Sequence, residues 1–259
     1  MVAEIKEACG VDAHHKTIVK ILKKQNILSI MAAKRPSLTA TQAANRLRFV
    51  RSKENFAFDD WKTWTFSDES MIELDCAEGV QRFLITPQQR YMPEFVIGKK
   101  QQGGGKVMIW SYISYDGLGP LIFIEGGIDA KVYIDILKTY VLPHCLTCLA
   151  ENGAVQTYMD DGASSHDSEL VIDFCSRKGI QRPYWPSSSP DLNPIEHVWG
   201  WIKHKLTRLK AKPKNLTELK SILVRFWEEI KLESIQKLFV GMPKRIKAVK
   251  DANGWNTNK

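Results

Sequence analysis

Apolar positions recur at helical spacing near the start of the chain and change to short β-rich runs from Trp61 onward. Residues 2–25 read as two short helices around Gly10. The second, roughly His14 to Gln25, turns Ile18, Val19, Ile21 and Leu22 toward a core and Lys16, Lys20, Lys23 and Lys24 outward. That is a helix-turn-helix pattern, which a generic helical hairpin shares. Residues 33–38 read as a linker, and a polar helix carrying Arg46, Arg48, Arg51 and Lys53 follows from about Thr39 to Asn55. Strands are predicted over Trp64–Ser67, Gln81–Ile85, Lys106–Ile113, Pro120–Ile124 and Ala154–Met159, with residues 101–105 as a flexible connector. Helices are predicted over Ala130–Leu149, Asp167–Lys178, Ile195–Leu209 and Leu216–Lys231, before a basic, Pro-marked tail at 241–250. Strands first and interleaved helices later indicate an α/β fold, a mixed sheet covered by helices.

Composition changes this picture little until charge is divided along the chain. With 259 residues, 44% hydrophobic and 25% charged, the chain is long enough for one large α/β domain and a small appendage. No apolar run approaches the ~20 residues of a membrane span, and the first residues lack a signal-peptide core, so a soluble intracellular protein is expected. Five cysteines scattered at 9, 76, 145, 148 and 175 argue against a disulfide framework. Cys145 and Cys148 have zinc-like spacing, but no second pair completes four ligands; two thiols on an apolar helix face is the better reading. The net charge of +8 divides into +5 over residues 1–60, −7 over 61–202 and +10 over 203–259. An acidic centre between basic ends suits a metal site flanked by surfaces for a polyanion, although solvated Lys-rich helix faces give the same sums.

Three acids stand out within that centre. Asp68 falls at the end of the run Trp64-Thr-Phe-Ser-Asp-Glu-Ser70. Asp161 closes Ala154-Val-Gln-Thr-Tyr-Met-Asp-Asp161, and Glu196 lies 34 intervening residues later in Ser187-Ser-Ser-Pro-Asp-Leu-Asn-Pro-Ile-Glu-His-Val-Trp-Gly200. Each has a plain structural explanation. Acids often sit where strands become turns, Asp160 is as good a candidate as its neighbour, and Asn193-Pro194-Ile195-Glu196 has the form of a helix cap. Together, two strand ends and a helix start would deliver three carboxylates able to hold two divalent cations beside a phosphodiester. The rigid approach from Trp185 to Pro194 would set where the first helical turn lies, and so where Glu196 points.

These residues carry a resemblance. Phe66-Ser-Asp-Glu-Ser70, Gly103-Gly-Gly-Lys-Val-Met-Ile-Trp110, Gly119-Pro120 with Glu125-Gly126 and Val132-Tyr133, Asp161-Gly-Ala-Ser-Ser-His166 and the block from Trp185 to Gly200 together resemble the mariner/Tc superfamily of DDE transposases. The similarity runs in the family's order from about residue 11 to Asn253, and the last block is its most specific signature. It implies an RNase H-like catalytic fold and carries metal-ligand and catalytic roles to Asp68, Asp161 and Glu196, in the two-aspartate, one-glutamate branch. The family's aspartate stands five positions before the following His, which selects Asp161 over Asp160 by its distance from His166. Gly162 and Ser164 replace the family's usual Asn and Pro, so a looser loop is expected there. Of the family's two N-terminal helix-turn-helix units only the second is recognisable, and a shortened N-terminus is expected. The domains implied are 1–33, a partial helix-turn-helix; 34–60, a basic linker and helix; and 61–259, the catalytic domain with basic C-terminal helices.

The resemblance further implies a DNA transposase that cleaves transposon ends and transfers strands into target DNA, typically at TA. Two Mg²⁺ ions, with Mn²⁺ as a substitute, would be bridged by Asp68 and Asp161 and completed by Glu196; no nucleotide cofactor is needed. The expected partner is double-stranded DNA, as transposon ends and as target, with no membrane; a homodimer is compatible with this. Lys16, Lys20, Lys23, Lys24, Lys34, Arg35 and Lys203 are the candidate DNA contacts, made to phosphates without reading sequence. His166 and His197 are expected to orient or pack rather than act as bases, and Trp199 and Trp201 to pack a helix rather than stack on bases. The expected location is the nucleus in a eukaryotic host, and otherwise the cytoplasm with DNA. The competing reading is a catalytically inactive or domesticated DNA-binding derivative, which would keep the basic surfaces and lose turnover.

Overall fold

The computed structural model describes residues 14–24, 38–74 and 105–257, without the side chains of His15, Val19, Leu22, Lys23 and Asn152. The predicted helix before Gly10, the strand at 81–85, the linker with Lys34 and Arg35, and most of the glycine connector lie outside the described residues. The chain divides into two compact units, Met1–Pro36 and Ser37–Lys259.

In the first unit, helix α1 spans His15–Lys24. Ile18 is buried, and Lys16, Lys20 and Lys24 are exposed, as the periodicity predicts. Ile21, expected inward, is 54% exposed. Three residues turn a helix by about 300°, which sets Ile21 at the margin of a stripe centred on Ile18.

The second unit opens with α2, Ala40–Ser52. Its N-terminus is closed by a capping box, in which Thr39 Oγ1 accepts from the Gln42 amide while Gln42 Oε1 accepts from the Thr39 amide. A short helix α3, Phe58–Lys62, then leads into strand β1, Trp64–Glu73. β2 (Lys106–Ser114), β3 (Gly117–Leu118) and β4 (Ile122–Ile124) complete the antiparallel part of the sheet. β5, Thr157–Met159, pairs with β1 in parallel, giving the order β3-β2-β1-β5 with β4 also on β2. The sheet is mixed and flanked by helices, as its element order predicts.

Helix α4 (Ala130–Ile136) passes through a π-helical segment, Leu137–Val141, into α5 (Leu142–Asn152) where one unbroken helix is predicted. Pro143 has no N–H to return to Thr139, and here the Leu142 amide reaches back to Leu137 O instead, widening the turn. Then come α6 (Glu169–Lys178), α7 (Ile195–Thr207), α8 (Leu216–Glu228), α9 (Leu232–Val240) and α10 (Met242–Asp251). α10 occupies the predicted basic tail: Met242, Ile246 and Val249 form a buried stripe, and Lys244, Lys247 and Lys250 keep away from it. Among the described residues, no helix is long and apolar enough to cross a membrane.

Alternation along β1 separates two cores. Trp64, Phe66 and Ile72 join the cluster formed with α7 to α10, including Val198, Trp199, Leu223 and Phe239. On the other face Trp110, Tyr112, Tyr133, Tyr158 and Phe174 form a second cluster with α4 to α6. Asp68 shares the parity of Trp64 and Phe66 and therefore faces α7, while Glu69 faces the α4–α6 side.

Candidate active site

The predicted strand end at Asp68 is corrected by the structure. β1 continues through Glu73, so Asp68 sits mid-strand opposite Ser111 of β2. The apolar run breaks at Ser67-Asp-Glu-Ser70, yet pairing to β2 continues through Ile72 and Glu73. The long antiparallel ladder supplies the hydrogen bonds that hold these polar residues in the strand.

Asp161 follows β5. The parallel register matches Phe66 with Met159, and extending it by two residues brings Asp68 level with Asp161. Ser67 Oγ, donating to Met159 O at 2.9 Å, pins the two strands at that end. Asp161 Oδ1 accepts from the Ala163 amide and faces His166 Nδ1, each at 2.9 Å. All its hydrogen bonds among the described residues fall on Oδ1, and half the side chain is exposed. Among the described residues Oδ2 takes no hydrogen bond.

Asp160 behaves differently from its neighbour. It is 5% exposed, and takes Arg182 Nε and Nη2 at 2.6 and 2.8 Å and the Tyr133 hydroxyl at 2.7 Å. Its oxygens are committed to a buried brace that continues from Tyr133 to Tyr158 and Ser67. Of the pair, Asp161 is the half-exposed one.

Glu196 lies in the first turn of α7, partly exposed. The expected cap shifts by one residue. Helix geometry begins at Ile195 with Pro194, which has no capping side chain, at the boundary. Asn193 instead bridges elements. Its Nδ2 donates to Ser67 O at 3.2 Å, tying the start of α7 to the strand residue before Asp68, while Oδ1 accepts weakly from the Ile195 amide at 3.4 Å. The approach to the helix is secured by the buried Arg46–Asp191 pair, bidentate at 2.8 and 2.7 Å. Arg46 also donates to Ser188 O and Gly254 O, and Arg245 donates to Asp191 O. Gly254 has φ +84 and lies so close to α2 that a Cβ would stand 1.9 Å from Ala43 O.

Electrostatics draws the three predicted acids together. Burial holds the Asp68 carboxyl well above the usual range, and the charges of Glu196, Glu69 and Asp161 push it further in the same direction. Burial likewise raises Glu69 to about 7, against the opposing influence of His166. Asp161 goes down, because the hydrogen bond from His166 outweighs its own burial. For His166 burial disfavours protonation, but the bond to Asp161 and the charges of Glu69 and Asp160 raise its pKa. Asp161 and Glu69 thus cluster with His166, while Asp68 feels the charges of Glu196, Glu69 and Asp161. Arg182, the nearby guanidinium, is spent on Asp160 and Asp167. Hard oxygen donors in excess of cationic partners fit a divalent metal.

Sequence reasoning omitted several participants. Among the described residues, Glu69, Asp161 and His166 each offer a ligand atom within 4.8 Å of the others, a cluster that does not include Asp68 or Glu196. Strand alternation marks Glu69 as facing away from Asp68, but only the tertiary fold brings the loop after β5 to meet it. His166 is buried, with its ring stacked on Tyr133 at 3.9 Å, which agrees with an orienting role. Trp199 packs on Trp227 at 5.3 Å as expected, and in addition its Nε1 donates to Asp68 Oδ2 at 3.0 Å. The loop expected to be loose is held by hydrogen bonds. Gly162 adopts φ +67, a conformation that Asn also tolerates, and its amide donates to Asp160 Oδ1 at 3.1 Å. Of the candidate DNA contacts, Lys203 is exposed on α7.

Comparison with known proteins gives the family and the fold. Residues 63–220 match the family described as DDE superfamily endonuclease. The chain is 30% identical over 242 residues to the transposable element Tcb1 transposase of Caenorhabditis briggsae, covering 93% of this chain and 87% of that protein. It is 28% identical over 242 residues to the Tc1 transposase of Caenorhabditis elegans, with the same coverage of 93% and 87%. Among solved structures, the Mos1 mariner paired-end complex with Mn aligns at a TM-score of 0.79 and 16% identity, over 98% of this chain and 74% of that one. The catalytic domain of Mos1 mariner transposase aligns at 0.66 and 15%, over 87% of this chain and all of that one.

Proposed function

The chain belongs to the DDE superfamily endonucleases as a transposase of the mariner/Tc1 type, and from that premise we propose that Asp68, Asp161 and Glu196 are its metal ligands and catalytic residues. The observation that carries the reading is the position of Asp68, whose pKa is raised first by burial and then by the charges of Glu196, Glu69 and Asp161, beside an Arg182 already bound to Asp160 and Asp167. Two Mg²⁺ ions, with Mn²⁺ able to substitute, would lower the pKa of an attacking water or align a 3′-hydroxyl and stabilise the leaving oxygen.

The chain's own residues do the positioning. Trp199 and the β1 ladder set Asp68, His166 and the Ala163 amide turn Asp161, and Asn193 anchors the start of α7 from which Glu196 projects. The reaction proposed is hydrolysis at transposon ends followed by strand transfer into target DNA, as in the mariner/Tc family. Its substrate is double-stranded DNA. The Mos1 neighbours were solved as paired-end and strand transfer complexes, and we extend a paired assembly to a homodimer of this chain. Lys16, Lys20 and Lys24 on α1 and Lys203 on α7 supply exposed cations for phosphates; Lys23, Lys34 and Arg35 are assigned the same role from sequence.

A Mg²⁺-dependent cleavage assay on transposon-end DNA tests the reading. Asp161→Asn and Glu196→Gln should each abolish cutting while leaving salt-sensitive DNA binding in place. Cutting at the parent rate by either variant would remove that residue from the metal site.

A further inference from the structure

The surface beside Asp161 opens into a cavity of about 700 Å³ that runs past Asp167 and Arg182 to Tyr184. A second cavity of about 500 Å³ is walled by Arg48, Phe49, Lys53 and, again, Tyr184. Asn45, Pro183 and Tyr184 line both, so the two form one groove from the carboxylate site to α2.

The chemistry changes along that groove. Its first end is acidic. At the far end Arg48 is exposed and, among the described residues, bonds only the Asn45 side-chain oxygen, while the Lys53 ammonium rests over the Phe56 and Trp64 rings at 4.2 and 5.4 Å. Neither pairs with a carboxylate among the described residues; the adjacent acid, Glu54, is taken by Lys250. Between the two ends lies Tyr184, with 61% of its surface exposed. An aromatic ring left open, next to two cations without acidic partners, is the combination that binds an unpaired strand: a base stacks on the ring and phosphates meet the cations. A duplex keeps its base faces stacked inward and leaves such a ring unused.

We propose that this groove holds a single-stranded DNA segment adjoining the phosphodiester at the carboxylates, with a base on Tyr184 and its phosphates on Arg48 and Lys53. The proposal rests on the assignment of the carboxylates as the DNA-cleaving site and names where an unpaired strand next to the cut runs. Arg182 is a wall of the groove rather than a contact, since its guanidinium is bound to Asp160 and Asp167.

The test compares the full chain's affinity for a blunt duplex with that for the same duplex carrying a short single-stranded extension, in EDTA so that cleavage plays no part. Tyr184→Ala should weaken binding of the extended duplex by about 5- to 100-fold, matching the loss of one base stack, and leave blunt-duplex binding unchanged. Tyr184→Phe, which keeps the ring, should restore it. Arg48→Ala should lower the salt slope for the extended duplex by about 0.7. A 2-aminopurine in the extension should be quenched by the parent and by Tyr184→Phe but not by Tyr184→Ala. Equal binding of the extension by Tyr184→Ala and the parent, or equal loss on both DNAs, overturns the groove. These outcomes do not depend on catalysis: preference for the extension without any metal-dependent cutting would keep the groove and reject the cleavage assignment, and cutting without the preference would do the reverse.

Discussion

The indole Nε1 of Trp199 donates to Asp68 Oδ2 across 3.0 Å, joining a helix residue to a mid-strand carboxylate 131 positions earlier in the chain. Trp199 is buried and its ring is backed by Trp227. The donor is therefore rigid, and it holds Asp68 on the same face of the sheet as Glu196, three residues before it on α7.

Trp199→Phe keeps an aromatic ring against Trp227 and removes the donor. A hydrogen bond to a charged group contributes roughly 1.5–3 kcal/mol, so Mg²⁺ affinity should fall about tenfold or more, with DNA affinity in EDTA unchanged. The smaller ring should also lower stability by about 1–2 kcal/mol. Metal titration followed by cleavage, alongside a denaturant melt, separates the two effects; unchanged metal affinity would show that the bond positions nothing.

Asp68→Asn should stabilise the metal-free protein while abolishing metal-dependent cleavage. The folded-state pKa of Asp68 lies above its unfolded value, so the folded chain holds its proton longer. Metal-free stability therefore falls as pH rises from the unfolded pKa through the raised folded one, and Asn escapes that loss. A gain of about 1 kcal/mol corresponds to roughly 2–4 °C in Tm near neutral pH. By the same sign, metal uptake must displace protons, so Mg²⁺ affinity should rise with pH through the raised pKa, and calorimetry in buffers of different ionisation enthalpy should register proton release.

The two adjacent aspartates should separate cleanly. Asp160→Ala leaves Arg182 with Asp167 alone and the Tyr133 hydroxyl with Tyr158 alone, and should cost about 3 kcal/mol, as breaking a buried pair does. Asp161→Ala removes a half-exposed carboxylate and should change stability by less than about 1 kcal/mol while eliminating cleavage. Urea midpoints and cleavage rates of both variants check the contrast; equal destabilisation would contradict the division of roles.

Arg46→Ala should destabilise the protein by about 3–5 kcal/mol, because it strands Asp191 in a buried site. If the pair also sets the approach to α7, the milder Asp191→Asn should lower cleavage more than it lowers Tm. A proportional loss in both would make the pair purely structural.

Much of the fold was legible in order and type. The sheet-then-helix sequence, a strand ending at Met159 and the amphipathic α8 follow from local periodicity, because each element must bury one face, whereas the parallel pairing of that strand came from the fold. Boundaries moved where a distant partner intervened. β1 runs past Asp68 because β2 pairs with it through Glu73, and the helix predicted over Ala130–Leu149 changes turn type where Pro143 withholds its amide. Ile21 shows the converse: its apolar character predicts burial that its angular position on α1 does not deliver.

For the site, sequence alone determined which acids to consider, and the family resemblance favoured Asp161 over Asp160 by its distance from His166. It could not distinguish an arginine that meets DNA from one that is buried: Arg46, Arg48 and Arg51 share one polar helix, and only the fold gives Arg46 to Asp191. Nor could it show that Glu69 meets His166 or that Trp199 holds Asp68. Local motifs report the conformation a segment prefers, whereas burial, opposed charges and a carboxylate's unused oxygen depend on which segments the sheet and its helices bring together. The tertiary structure thus decided which charges are neutralised inside the fold and which are left without an oppositely charged partner among the described residues, as Arg46 and Arg48 show.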